Sequence, residues 1–182
     1  MEMKTGMFDS IKKAPSRDRN PMLGTSCESY LQKRIQEEEQ SSRIYHSMSM
    51  WLNNEGYTGA AKLWAKYSAE EMGHANWSRE YLLSMGITPN TPTLTAEPNM
   101  YAGLPAIVEL SYDHEVAITK SIKEMGDHAM KENDHMLYTL VGQYLKEQVE
   151  EHDKMQNWID KLKTFGSDPI ALRWLDEEMG EA

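Results

Sequence analysis

Hydrophobic residues recur every three to four positions along four long stretches of the chain, which is the spacing of one face of an α-helix. Clusters of proline, glycine and asparagine separate these stretches. The pattern predicts four helices, over residues 25–53, 58–85, 104–131 and 135–165. A shorter fifth helix is predicted from Pro169 to about Met179, because Asp168 can cap its start and proline suits the first helical position.

The connections between the helices predict how they pack. Short turns at Gly56 and Asn133 join the first helix to the second and the third to the fourth, so each pair is expected to be antiparallel. Residues 86–103 contain Pro89, Pro92 and Pro98 and form a long connection between the two pairs. The expected fold is an all-α four-helix bundle with one long crossover. We expect residues 1–25, which show no period, to be an extended or flexible N-terminal extension, and residues 26–182 to form one domain.

Each of the four predicted apolar faces is interrupted near its middle by ligand-type side chains. Glu38 and Glu71 are 33 residues apart, as are Glu115 and Gln148, with a turn midway between the members of each pair. Because antiparallel helices have a common rise per residue, each pair reaches one height in the bundle. The six residues expected at this level are Glu38, Glu71, His74, Glu115, Gln148 and Glu151.

Four carboxylates in a bundle core need a counter-charge, since burying an unpaired one costs several kcal/mol and neighbouring ones repel. No Lys or Arg is expected on the four apolar faces, so we predict protons or cations there. Two divalent ions would balance four glutamates, and the neutral Gln148 leaves that balance unchanged. Oxygen-rich ligation with one imidazole favours iron or manganese over zinc, and Glu71-x-x-His74 has the spacing found in di-iron bundles.

A structural interpretation is the alternative for each residue taken alone. A single Glu-x-x-His on a helix is commonly structural, and a carboxylate on an apolar stripe can reflect a misassigned helix face. Because all four helices carry the feature at one level, the pair of metal ions is the better interpretation.

The composition narrows the possible functions. The 182 residues carry 19 basic and 29 acidic side chains, and a net charge of −10 argues against binding to a nucleic-acid backbone. The single cysteine, Cys27, excludes an intrachain disulfide and a four-cysteine metal site, and it fits a reducing compartment. No run approaches the roughly 18 to 20 apolar residues of a membrane span, and residues 1–25 lack the apolar core of a signal peptide. We expect a cytoplasmic protein with no membrane or nucleic-acid partner.

Short motifs around the six residues resemble the ferritin family, and specifically the bacterial non-haem ferritins, over about residues 27–180. The motifs are Glu38 with Ser41, Ser42 and Tyr45, and the segments 69–74, 112–115 and 147–151. The resemblance implies a ferritin-like bundle with an intrasubunit di-iron ferroxidase centre that oxidises Fe(II) with O₂ or H₂O₂. It also implies a homo-oligomeric hollow shell, usually a 24-mer, that stores ferric mineral.

The resemblance also implies a role for each residue. The first iron would be held by Glu38, Glu71 and His74. The second would be held by Glu71 as a bridge, Glu115 and Glu151, with Gln148 close by. Tyr45 matches a tyrosine that hydrogen-bonds to the centre or donates an electron, although a core tyrosine is the alternative.

An additional iron site is implied beside this centre. Its acids are Glu70, Glu147 and Glu150. The alternative is a solvated acidic face.

Two other ferritin-like functions and a non-enzymatic one stay open at this point. Met72 resembles the haem-ligating methionine of bacterioferritins, but the chain has 14 methionines, so we expect core packing and no haem. A mini-ferritin, which protects against peroxide in a 12-subunit shell, usually lacks the last helix that Pro169–Met179 supplies here. A helical interaction module without catalysis leaves the buried acids unexplained.

Overall fold

A computed structural model describes residues 23–182, and five α-helices account for most of them. The helices are α1 Thr25–Asn54, α2 Thr58–Ser84, α3 Leu104–Lys131, α4 His135–Phe165 and α5 Pro169–Met179. Their ends agree with the predicted ones to within one residue, and no strand occurs within residues 23–182. The all-α prediction is confirmed. The prediction of an N-terminal extension falls mostly on residues 1–22, which lie outside the described residues.

The two hairpin turns depend on residues that accept a left-handed backbone. Gly56 ends the first turn with a φ of 89°, and Asn133 has a φ of 55° in the second. Glycine lacks the Cβ that disfavours this conformation, and asparagine tolerates it better than most residues. The next residue, Asp134, caps α4 by accepting a hydrogen bond from the Leu137 backbone N–H at 2.9 Å. Each turn therefore reverses the chain within a few residues, so that α2 returns along α1 and α4 along α3.

The long crossover between the helix pairs is fastened to the polar face of α1. Three glutamines one helical turn apart, Gln32, Gln36 and Gln40, exchange hydrogen bonds with the backbone of residues 90–95. The Thr95 N–H, for example, donates a hydrogen bond to Gln40 Oε1 at 2.8 Å. These bonds satisfy backbone groups of a segment that forms no helix or strand of its own.

The bundle core consists of two apolar clusters with a polar layer between them. One cluster includes Leu52, Trp64 and Trp158, and the other includes Ile35 and Leu137. The intervening turns of the four helices carry the buried polar side chains. The layer that separates the clusters is the one in which the sequence places the metal ligands.

Helix α5 docks on the start of α2 through close backbone contact. Asp176 accepts a hydrogen bond from the Ala60 N–H at 2.8 Å, and a Cβ on Gly59 would lie 1.8 Å from the Asp176 carbonyl oxygen. Only glycine fits at position 59. The other face of α5 is open, with Ile170 and Trp174 largely exposed.

Candidate metal centre

The tightest group of potential metal ligands joins α1 to α2. Glu38, Glu71 and His74 each offer a ligand atom, and these atoms all lie within 4.8 Å of one another. Glu71 and His74 are three residues apart, which places them on one face of α2, and His74 Nδ1 lies 3.0 Å from Glu71 Oε2. Glu38 and Glu71 are buried. The structure thus brings together the three residues that the resemblance assigned to the first iron.

Glu115 of α3 lies in the same layer and is held on both oxygens. The Tyr45 hydroxyl of α1 donates to Oε1, and the Gln148 side-chain amide of α4 donates to Oε2 at 2.8 Å. All three side chains are buried. Tyr45 therefore lies beside the acids, as the resemblance implies, and its hydroxyl is a donor to one of them.

Glu151 of α4 completes the set of six. It is buried, and its charge acts on both Glu71 and Glu115. Among the described residues, however, the acids Glu115 and Glu151 do not join a three-ligand group as compact as that of Glu38, Glu71 and His74. Their oxygens are instead engaged by neighbouring donors, which metal binding would displace or reorient.

The protein raises the pKa of the buried carboxyls, chiefly by removing them from water. Burial raises the pKa of Glu38 to about 8 even though Arg34 opposes the shift. Burial and then the charge of Glu115 raise the pKa of Glu71 to about 8. Burial also raises the pKa of Glu115 to about 7, although the hydrogen bond from Tyr45 lowers it. Without metal, protons therefore supply much of the counter-charge in this layer.

Two basic side chains beside the layer contradict the expectation that no Lys or Arg lies there. Arg34 is 1% exposed, and its Nε lies 2.9 Å from Glu38 Oε1 while Nη1 lies 3.1 Å from Glu37 Oε2. Lys154 Nζ lies 2.8 Å from Glu151 Oε1. Arg34 precedes Glu38 by one helical turn and Lys154 follows Glu151 by three residues. The spacing therefore places both residues near the ligand-bearing faces, but it does not show that their long side chains reach the acids.

Arg34 lies close to the carboxyls of Glu37 and Glu38 without making well-directed hydrogen bonds to them. Within the described residues, none of its three guanidinium nitrogens has a hydrogen-bond partner of good geometry. Its positive charge nevertheless acts on Glu38, Glu71 and Glu115 alike. Arg34 thus reduces the negative charge of the whole layer rather than that of one residue.

The acids assigned to an additional iron site are spread over different surroundings. Glu70 Oε2 lies 3.4 Å from Lys154 Nζ, Glu147 Oε1 lies 3.8 Å from His74 Nε2, and Glu150 is exposed. The additional site stays a prediction.

Met72, expected in the core, is 43% exposed, because it follows Glu71 on α2 and so points away from the bundle axis.

A family model described as a ferritin-like domain matches residues 28–165. The chain belongs to the ferritin family. The matched residues include all six proposed ligand residues of the polar layer, from Glu38 to Glu151. The family match therefore covers the whole candidate centre and leaves out α5.

Named relatives of this ferritin-family chain include bacterial non-heme ferritins. The chain is 31% identical to the bacterial non-heme ferritin of Escherichia coli O6:H1 over 139 residues, which cover 76% of this chain and 84% of that protein. It is 28% identical to the bacterial non-heme ferritin of Bacteroides fragilis strain 638R, with 88% of this chain and 99% of that protein covered. These similarities support a general role in iron storage and iron oxidation.

A solved ferritin structure confirms the architecture. An open pore ferritin from the hyperthermophilic archaeon Archaeoglobus fulgidus matches with a TM-score of 0.85 at 28% sequence identity, covering 88% of this chain and 98% of that chain. The predicted ferritin-like bundle with one crossover is thereby confirmed. In the described part of this ferritin-family chain, none of the helices combines the length and apolar character needed to cross a membrane.

Proposed function

We propose that the protein is an iron-storage ferritin that oxidises Fe(II) at an intrasubunit pair of iron sites, with O₂ or H₂O₂ as the oxidant. The ferric product would be stored as mineral inside a homo-oligomeric hollow shell, for which we propose 24 subunits. The observation that carries the proposal is the buried polar layer, to which all four long helices contribute a carboxylate. Four buried carboxylates are costly unless protons or cations balance their charge, and a pair of divalent ions can replace the protons.

Iron is the substrate of this centre. Glu38, Glu71 and His74 are the proposed ligands of one Fe(II) ion, since their ligand atoms already lie within 4.8 Å of one another. The second ion would share Glu71 and take Glu115 and Glu151, with Gln148 nearby. Carboxylate oxygens are hard ligands and stabilise Fe(III) relative to Fe(II), which favours oxidation.

The surroundings of the proposed ligands set their protonation and their hydrogen bonds before iron binds. Glu38 and Glu71, and to a smaller extent Glu115, must lose protons when iron binds, because burial raises the pKa of all three carboxyls into the neutral range. Tyr45 and Gln148 hold the Glu115 carboxyl from two sides in the metal-free protein, and iron would have to displace or reorient one of these donors to bind it. During oxidation each Fe(II) ion gives up one electron to the oxidant.

Release of the oxidised iron is favoured because the ligand set carries less negative charge than a site built of carboxylates alone. Gln148 is neutral, His74 is a single imidazole, and Arg34 adds a resident positive charge beside Glu38. These groups make the centre bind Fe(III) less tightly than a site built of carboxylates alone, so we propose that oxidised iron leaves the centre for mineral growth rather than remaining as a bound cofactor.

An anaerobic Fe(II) titration followed by exposure to air tests the proposal. We expect about two Fe(II) ions per chain to bind first and to oxidise within seconds of mixing with air. Glu71→Gln should abolish this rapid phase, because it removes the proposed shared ligand. Glu109→Gln, at an exposed position on α3, is the matched control and should keep it.

The shell is tested on the same sample by electron microscopy. Hollow particles near 24 subunits are expected, whereas dodecamers would favour the mini-ferritin alternative. Oxidation no faster than that of Fe(II) in buffer, with a monomeric protein, would contradict the proposed function.

A further inference from the structure

Lys154 lies at the outer edge of the centre, between α4 and α2. Its Nζ is 2.8 Å from Glu151 Oε1 on its own helix and 3.4 Å from Glu70 Oε2 on α2. The same nitrogen lies 5.7 Å from the ring centroid of Tyr67, within the range of a cation–π interaction. The ammonium group is therefore held by three side chains from two helices.

Lys154 divides the outer acids between two environments. Glu151 and Glu70 share its charge, while Glu147 points toward His74 instead. Glu151 is almost completely buried, so a positive charge 2.8 Å away is worth more to it than a surface pair would be. A divalent ion bound by Glu70 and Glu151 would have to take the place of this ammonium group.

We propose that Lys154 is a resident cation that takes the place of a metal ion beside Glu70 and Glu151. It would keep the additional iron site predicted at Glu70, Glu147 and Glu150 from filling, so that each chain holds only the two ions of the proposed centre. The inference rests on the proposed two-iron centre and adds a residue that controls its capacity. It also explains how Glu151 remains held while the centre is empty. Lys154 is a positioning residue in this scheme, because it touches Glu151 rather than iron.

Equilibrium dialysis of the assembled protein against Co²⁺, without oxygen, measures the capacity directly. The wild-type protein should hold about two tightly bound ions per chain. Lys154→Met should hold about three, since removal of the ammonium group leaves Glu70 Oε2 and Glu151 Oε1 open to a further ion and carboxylate oxygens suit divalent cations. Lys154→Arg keeps the charge and should return the count to about two.

Lys146→Met provides the matched control, because it removes one positive charge from an exposed position on the same helix. It should leave the count at the wild-type value. The inference fails if Lys154→Met binds no more Co²⁺ than the wild type, whether both hold two ions or both hold three. It also fails if Lys146→Met gains an ion to the same extent. A wild-type protein with no tight Co²⁺ site would instead overturn the proposed function, and this inference with it.

Discussion

Metal binding to this protein should release protons, and the amount can be worked out from the buried carboxyls. Burial places the pKa of Glu38 and of Glu71 at about 8 and that of Glu115 at about 7. Metal ions bind the deprotonated form of a carboxyl, so every proton held by these groups must leave when the centre fills. The perturbation is simply the addition of a redox-stable divalent cation to metal-free protein.

The expected release depends on pH in a characteristic direction. At pH 7 a carboxyl with a pKa of about 8 is roughly nine-tenths protonated, and one with a pKa of about 7 is half protonated. The three groups, Glu38, Glu71 and Glu115, would together give up about two protons per chain at pH 7 and far fewer at pH 9. The release therefore falls as the pH rises, because fewer protons remain to be displaced.

A weakly buffered solution with a pH indicator measures this release during a Zn²⁺ titration. Metal-bound water can also lose a proton, but that contribution grows with pH and so has the opposite trend. Glu115→Gln should lower the release at pH 7 by more than about half a proton, since it removes a group that is half protonated there and also the charge that helps to raise the pKa of Glu71. Release that stays below half a proton at pH 7, or that increases from pH 7 to pH 9, would refute the reasoning.

Three further predictions concern single substitutions. Tyr45→Phe removes the hydrogen bond that lowers the Glu115 pKa, so proton release at pH 7 should rise toward a full proton from that group; unchanged release would argue against the contact. Gln148→Glu adds a fifth carboxylate beside Glu115 and should retain Fe(III), so stopped-flow absorbance should show a normal first turnover and slower later ones; equal later turnovers would count against a role in release. Gly59→Ala should lower the melting temperature, with a loss in the free energy of unfolding of about 3 kcal/mol, because the added Cβ would lie 1.8 Å from the α5 backbone. Gly73→Ala is the control: a Cβ there has open space around it and should stabilise α2 by up to about 1 kcal/mol. Equal melting temperatures for the two alanine variants would disprove the proposed docking of α5.

The sequence alone was sufficient to predict the bounds of the helices and the six ligand-type residues that are buried in the polar layer. Helix periodicity and turn chemistry act over a few residues, so the ends near Asn133 and Pro169 could be predicted without knowledge of the fold. Glu38 and Glu71 have the same spacing as Glu115 and Gln148. Because the rise per residue is constant, this spacing predicts that each pair of residues lies at one height in the bundle.

The tertiary structure decided which charges enter that layer and what each oxygen contacts. Periodicity locates a Cβ, but it does not show where a long flexible side chain ends. Arg34 reaches Glu38 inside the core, and Lys154 spans from α4 to Glu70 on α2. These outcomes depend on the packing of one helix against another, since only that packing determines which side chains are removed from water and which charges they must then meet.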